Sequence, residues 1–119
     1  MFRDLNVVPR WATTFFDRAR GCLGAPPAGR DAIVITPAKQ VHTFGLRVPI
    51  GVIFCDARWV VLHVVPAMKP ARLSRFVRGS RYVVELAPRI AAGVVEGDVI
   101  VGLDRRVVEP RHERLARDE

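Results

Sequence analysis

A chain of 119 residues, 50% of them hydrophobic and with a net charge of +7, has the length of one domain. Such a chain buries roughly two thirds of the surface its unfolded form exposes, so folding requires neither a disulfide nor a metal. Its apolar runs fall well short of the roughly 20 residues that span a bilayer, and the opening MFRDLNVVPRW lacks the basic region, apolar core and small-residue cleavage site of a secretory signal. The expectation is a soluble, cytoplasmic protein with no membrane partner.

Residues 4–8 make a short apolar entry, read as an edge strand that ends at Pro9. A helix is predicted next. Thr14 with Asp17 three residues on resembles a capping box, and Phe15 or Phe16, Ala19 and Leu23 recur at helical spacing until Gly24 and the following prolines stop it. Residues 32–36, AIVIT, read as a strand closed by Pro37. Residues 39–56, KQVHTFGLRVPIGVIFCD, organise the rest: a polar, glycine-containing loop runs through Val48 and Pro49 into the unbroken apolar run IGVIFC. Apolar residues at consecutive positions imply a strand covered on both faces. Asp56, Ala57 and Arg58 separate it from the apolar residues 59–65, a hairpin signal that pairs the two strands antiparallel.

Pro66 and Pro70 bound a kinked connector. Residues 69–81 then carry cations at every third position, Arg72, Arg75, Arg78 and Arg81, a period that fits neither a strand nor a long helix, and they are read as an irregular basic loop. Residues 82–86, YVVEL, form a strand, residues 87–92 a short helix with Pro88 in its first turn and Gly93 ending it, and residues 99–103 the last strand. One domain is thus expected over residues 1–103, and residues 104–119, with five acids and five arginines, form a polar tail read as a frayed helix or disordered.

Three chemistries compete for the candidate residues. His42, Thr43 and Arg47 stand at the mouth of the central strand, and with Glu85, which shares a strand face with Val83, they could line a pocket for a small anionic ligand. The competing structural reading has the histidine and arginine satisfying backbone carbonyls and Glu85 in an ion pair with Arg47 or a loop arginine. The second chemistry is electrostatic. Between Asp56 and Glu85 lie six cations and no acid, and Lys69, Arg72, Arg75, Arg78 and Arg81 interleave with Phe76 and Tyr82 in the manner of a nucleic-acid platform. Arginine outnumbers lysine 17 to 2 along the whole chain, however, so the patch reads equally as a solvated arginine-rich loop.

The third is a hydrolase with Cys55 as nucleophile and His42 as base. A cysteine inside IGVIFC is expected to be buried, which raises the thiol's pKa and leaves it inert. No Gly-x-Ser-x-Gly elbow, phosphate loop or dinucleotide fingerprint is present, so no catalytic residue and no cofactor is assigned. His42, His63 and His112 are scattered without an i, i+4 pair, and no metal site is assigned. Cys22 and Cys55 are read as buried thiols, with a disulfide between them left open.

Gly21-Cys22-Leu23-Gly24, the run from His42 to Ile50 (HTFGLRVPI), Val84-Glu85-Leu86, and Gly93-Val94 with Gly97-Asp98 occur in an order and spacing that resembles the bacterial and archaeal domain-of-unknown-function family 192, over residues 12–103. The resemblance implies a small, β-rich, mostly antiparallel α+β domain, barrel-like, with an N-terminal helix and a short helix before the last strand, and no agreed biochemical activity. The Gly-Val-x-x-Gly-Asp segment is also similar to the GD box of cradle-loop barrels, in which glycine permits a tight turn and aspartate accepts hydrogen bonds from turn amides. One departure is Gly51, where the family usually has an aspartate. The reading is a non-catalytic binding or accessory module, monomer or homodimer, that meets a small anionic ligand or a protein partner in a groove beside His42–Arg47. Nonspecific nucleic-acid binding by residues 69–81 and the His42–Cys55 hydrolase are the alternatives.

Overall fold

β-Branched and aromatic runs give this chain its strands. A computed structural model describes residues 1–14, 18 and 26–103. Its elements in order are β1 (Phe2–Asp4), β2 (Val8–Ala12), β3 (Asp31–Ile35), β4 (Ile50–Cys55), β5 (Val61–Met68), β6 (Tyr82–Leu86), helix α1 (Pro88–Ala91) and β7 (Val99–Val101). One sheet has the order β2-β3-β6-β4-β5, and β1 pairs with β7 in a second sheet of two strands. The pairs β3–β6, β6–β4 and β4–β5 are antiparallel, whereas β2–β3 and β1–β7 are parallel.

Both sheets are open, which corrects the barrel-like expectation: among the described residues β2 and β5 end the larger sheet without closing it. Residues 4–8, predicted as an edge strand ending at Pro9, are instead the connection between β1, which ends at Asp4, and β2, which begins at Val8, and the strand predicted to end at Val65 runs on to Met68. Strand β2 runs through Pro9 and β5 through Pro66, because a proline costs no ladder hydrogen bond where its missing N–H would face outward from an edge. At Pro66 the β4–β5 register also shifts, Ile50 pairing with Met68 and Val52 with Val65, so the chain there bulges instead of ending the strand. β7 is shorter than predicted. The helix predicted to begin at Thr14 and end near Leu23 lies largely outside the described residues, as do Cys22, His112 and the tail.

The core has two layers, one on each face of the larger sheet. Ala32, Val34, Ile53, Cys55, Val84 and Leu86 point to one side, where they meet Leu5 just after β1, Ala91 of α1, Val94 just after α1 and Ile100 of β7. Ile33, Ile35, Ile50, Val52, Phe54 and Val83 point to the other, where Val41, Leu46 and Val77 cover them from the loops and Met68 from the end of β5. Every residue of β4 is buried, so the unbroken apolar run is explained by a strand with both faces covered. A bridge between Val60 and Val99, with Val61 N donating to Asp98 O at 2.8 Å and Ile100 N to Trp59 O at 2.9 Å, fastens the small sheet to the large one.

The hairpin turn after β4 is set by Asp56, whose Oδ1 accepts from Arg58 N at 2.8 Å and Val60 N at 3.0 Å. Trp59 follows at φ 66°, a left-handed conformation that is costly for a bulky residue. It lies flat on Tyr82, ring centroids 4.0 Å apart, with Trp11 edge-on to both. Aromatic stacking of this kind offsets backbone strain of order 1 kcal/mol.

Candidate functional site

The loop from residue 38 to 48 and the basic loop 69–81 are not separate features. They are zipped together by hydrogen bonds that small hydroxyl side chains complete. Thr43, with no exposed surface, donates its Oγ1 to Lys69 O at 2.6 Å and accepts from Arg72 N at 2.9 Å, while its own N donates to Arg72 O at 2.8 Å. Ser74 Oγ accepts from Val41 N at 3.0 Å, and Ser74 N donates to Val41 O at 2.9 Å. Ser80 Oγ donates to Ala38 O at 2.7 Å, and Lys39 Nζ to Ser80 O at 2.9 Å. Each such bond contributes roughly 1 kcal/mol, and leaving a buried partner bare costs about 1–3 kcal/mol.

This zipper accounts for the period of three. Ser74, Val77 and Ser80 face inward, and Arg72, Arg75, Arg78 and Arg81 remain exposed between them. Ser74 and Ser80 carry no signal as chemical groups and were not predicted; the period itself was the available signal, because it belongs to a chain that sends one residue in three into its neighbour. The outer surface is mixed. Phe44 is 51% exposed, Val48 46%, Leu73 61% and Phe76 62%, and all four stand among arginines and Lys69 instead of being drawn into the core below.

The predicted pocket residues are distributed through this assembly at three depths. His42 is half-buried, pairs with Leu73 as an isolated bridge, stacks on Phe44 at 5.1 Å and accepts from Phe44 N through Nδ1 at 3.2 Å. Thr43 is used inside the zipper. Arg47 is exposed, and Glu85, 2% exposed, lies beneath in β6, opposite Ile33 of β3 and Val52 of β4. Glu85 therefore shares the sheet face that the loops cover, as its alternation with Val83 suggested.

Cys55 and His42 are on opposite sides of the sheet: the thiol sits fully buried in the layer with Val84 and Ile53, and His42 belongs to the loop over the other layer. Burial, with a smaller contribution from the Asp56 carboxylate, pushes the Cys55 thiol up to about 12. His63 packs against Phe54 at 5.7 Å and lies 3.9 Å from the Glu96 carboxylate. Gly97, at φ 94°, makes the turn before β7. Asp98 closes it, accepting from Val95 N at 3.1 Å and from Arg3 Nε at 2.7 Å, which together hold its carboxyl below the usual carboxylate range. Turn formation was foreseen for Gly97 and Asp98; the cross-link to Arg3 in β1 was not. Gly93 follows α1, and Gly51 lies buried in β4 under that helix.

These elements define a small β-rich domain with little helix, bearing a rigid loop surface of arginine and phenylalanine on one side of its main sheet. The chain belongs to domain-of-unknown-function family 192, described as an uncharacterised ACR, whose model matches residues 4–102. That span runs from the last residue of β1 to the residue after β7, and so reaches further toward the N-terminus than the segment that resembles the family by its motifs. No curated protein matches it. Among solved structures, a protein of unknown function from Novosphingobium aromaticivorans is similar with a TM-score of 0.69 at 17% identity, covering 76% of this chain and 71% of the other. A candidate transcription regulator from Sinorhizobium meliloti is similar with a TM-score of 0.62 at 16% identity, covering 76% and 78%. At these identities the likeness is one of fold. Among the described residues no helix is long and apolar enough to cross a membrane.

Proposed function

We propose that the protein is a non-catalytic, cytoplasmic binding module that receives a single-stranded nucleic acid on the surface made by residues 42–48 and 69–81. The observation that carries this reading is the zipper: it joins the groove and the basic loop into one face, where Phe44 and Phe76 project among Arg47, Lys69, Arg72, Arg75 and Arg78. Exposed aromatic rings supply stacking partners for bases, and guanidinium groups between them neutralise the intervening phosphates. Exposed apolar side chains in a fixed loop are costly unless something covers them, which favours a macromolecular partner over a small anion at this face. Weighing against a hydrolase are the high thiol pKa of Cys55 and its separation from His42 by the sheet.

The test is fluorescence anisotropy of a labelled single-stranded oligonucleotide across a salt series. The logarithm of the binding constant should fall linearly with log salt, and Arg75→Ala with Arg78→Ala should reduce the slope by about 1.4, from about 0.7 per phosphate contact. Phe76→Ala should leave the slope unchanged and weaken binding by about 1–3 kcal/mol. Absent or salt-independent binding would end the nucleic-acid reading; capture of an acidic peptide in its place, with the same arginine dependence, would reassign the surface to a protein partner.

A further inference from the structure

On the side of the large sheet away from the loop surface, Arg3 of β1, Arg30 of the turn before β3 and Arg89 of α1 converge on one cleft of about 250 Å³. Leu5 and Ile90 form its apolar floor, and Asp4 is the one acid that lines it. We infer that this cleft is a binding site for a small organic anion, a phosphomonoester or a polycarboxylate with an apolar body, independent of the loop surface.

Three features support it. The cations come from sequence-distant segments and each is tethered: Arg3 Nε donates to Asp98 Oδ2 at 2.7 Å and its Nη2 to Met1 Sδ at 3.6 Å, Arg30 Nη1 donates to Leu5 O at 3.1 Å, and Arg89 Nη2 to Gly29 O at 3.2 Å. A guanidinium has five donors, so each keeps several for a ligand while losing much of the side-chain freedom that binding would otherwise have to restrict. Second, among the described residues Asp4 forms no ion pair with the three guanidinium groups, so that one lining carboxylate faces three cations. Its Oδ1 accepts from Asn6 N at 2.8 Å, and the Arg3 carboxylate partner is Asp98. Third, the cleft is small, below the several hundred Å³ typical of drug-sized ligands. It suits a phosphate or paired carboxylates held by planar forks, with a ring or short chain on Leu5 and Ile90.

Calorimetric titration of the full chain with phenyl phosphate, inorganic phosphate and citrate tests the site, with phenol as the uncharged control. A one-to-one isotherm is expected for phenyl phosphate, tighter than for inorganic phosphate because of the apolar floor, with no binding of phenol. Arg89→Gln should weaken it about tenfold, and Arg30→Gln with Arg89→Gln about a hundredfold, from the loss of one charge-assisted contact each. Arg75→Gln with Arg78→Gln should leave it unchanged, which separates this site from the proposed nucleic-acid surface. Arg89 is exposed, so its single variant carries the test if the double variant unfolds. Failure of all three anions to bind, an unchanged constant in Arg89→Gln, or an equal loss in the loop variant would overturn the assignment.

Discussion

Gly51 offers a sharp test of how this domain is packed. A Cβ built on it would lie 2.5 Å from Ala91 Cβ of α1, 3.2 Å from Leu86 O and 3.3 Å from Ala87 O. The first distance is closer than carbon atoms approach, and the other two involve backbone, so the methyl of Gly51→Ala cannot be accommodated by rotating a side chain. The helix must lift or β4 must bend. Overpacking of this kind costs about 1–3 kcal/mol. At about 2.1 cal/mol/K of unfolding entropy per residue, each kcal/mol lowers the melting temperature of a domain of this size by about 4–5 °C, so a fall of about 4–15 °C is expected. Gly51→Asp should cost more, because a carboxyl enters an apolar layer as well as a filled space. Urea unfolding followed through Trp11 and Trp59 measures both variants. Ala91→Gly makes room, so the double variant Gly51→Ala/Ala91→Gly should be less destabilised than the sum of its parts. A Gly51→Ala protein within about 0.5 kcal/mol of the parent, or additive behaviour in the double variant, would refute the claim that α1 fills the space over β4.

Thr43→Val keeps the shape but bares Arg72 N and Lys69 O; a loss of about 1–3 kcal/mol is expected in the same unfolding assay, with faster proteolysis within residues 69–81. Cys55 should resist iodoacetamide at neutral pH and react only on unfolding, since its folded pKa of about 12 leaves almost no thiolate; rapid labelling of the native protein would contradict the burial. Because that pKa is raised, the neutral thiol favours the fold, and stability should decline as pH rises from the ordinary thiol range towards about 12; Cys55→Ala should flatten that alkaline limb. Asp98 has the opposite sign. Its carboxyl is held low by Val95 N–H first and then by Arg3, so its contribution is complete above the ordinary aspartate range and lost as pH falls through the lower folded value. Asp98→Asn should remove that part of the acid sensitivity, and an unchanged acid limb would show that the turn and the Arg3 link contribute nothing.

Much of the framework is legible in the sequence alone. The unbroken run IGVIFC specified a doubly covered strand, YVVEL specified β6 to the residue, and the Gly97-Asp98 pair specified a turn. These are local signals: strand propensity, alternation and turn chemistry act over a few neighbours and survive without knowledge of the partner. Two of the misread boundaries, those at Pro9 and Pro66, share one cause. Whether a proline ends a strand depends on whether its missing N–H would have met a neighbouring strand, and edge position is a property of the sheet, not of the segment.

The candidate site divides in the same way. Residue types and charge determined that His42 and Arg47 would be polar groups before β4, that residues 69–81 would be a cationic loop, and that Cys55 would be a poor nucleophile. Only the tertiary structure decided that Thr43 lies inside a zipper, that Ser74 and Ser80 complete it, that Glu85 is buried below it, and that Arg3, Arg30 and Arg89 meet at all. Periodicity tells which face of a segment is apolar, but hydrogen bonds between residues some thirty positions apart, and guanidinium groups gathered from three segments, follow from chain crossings that no local pattern encodes.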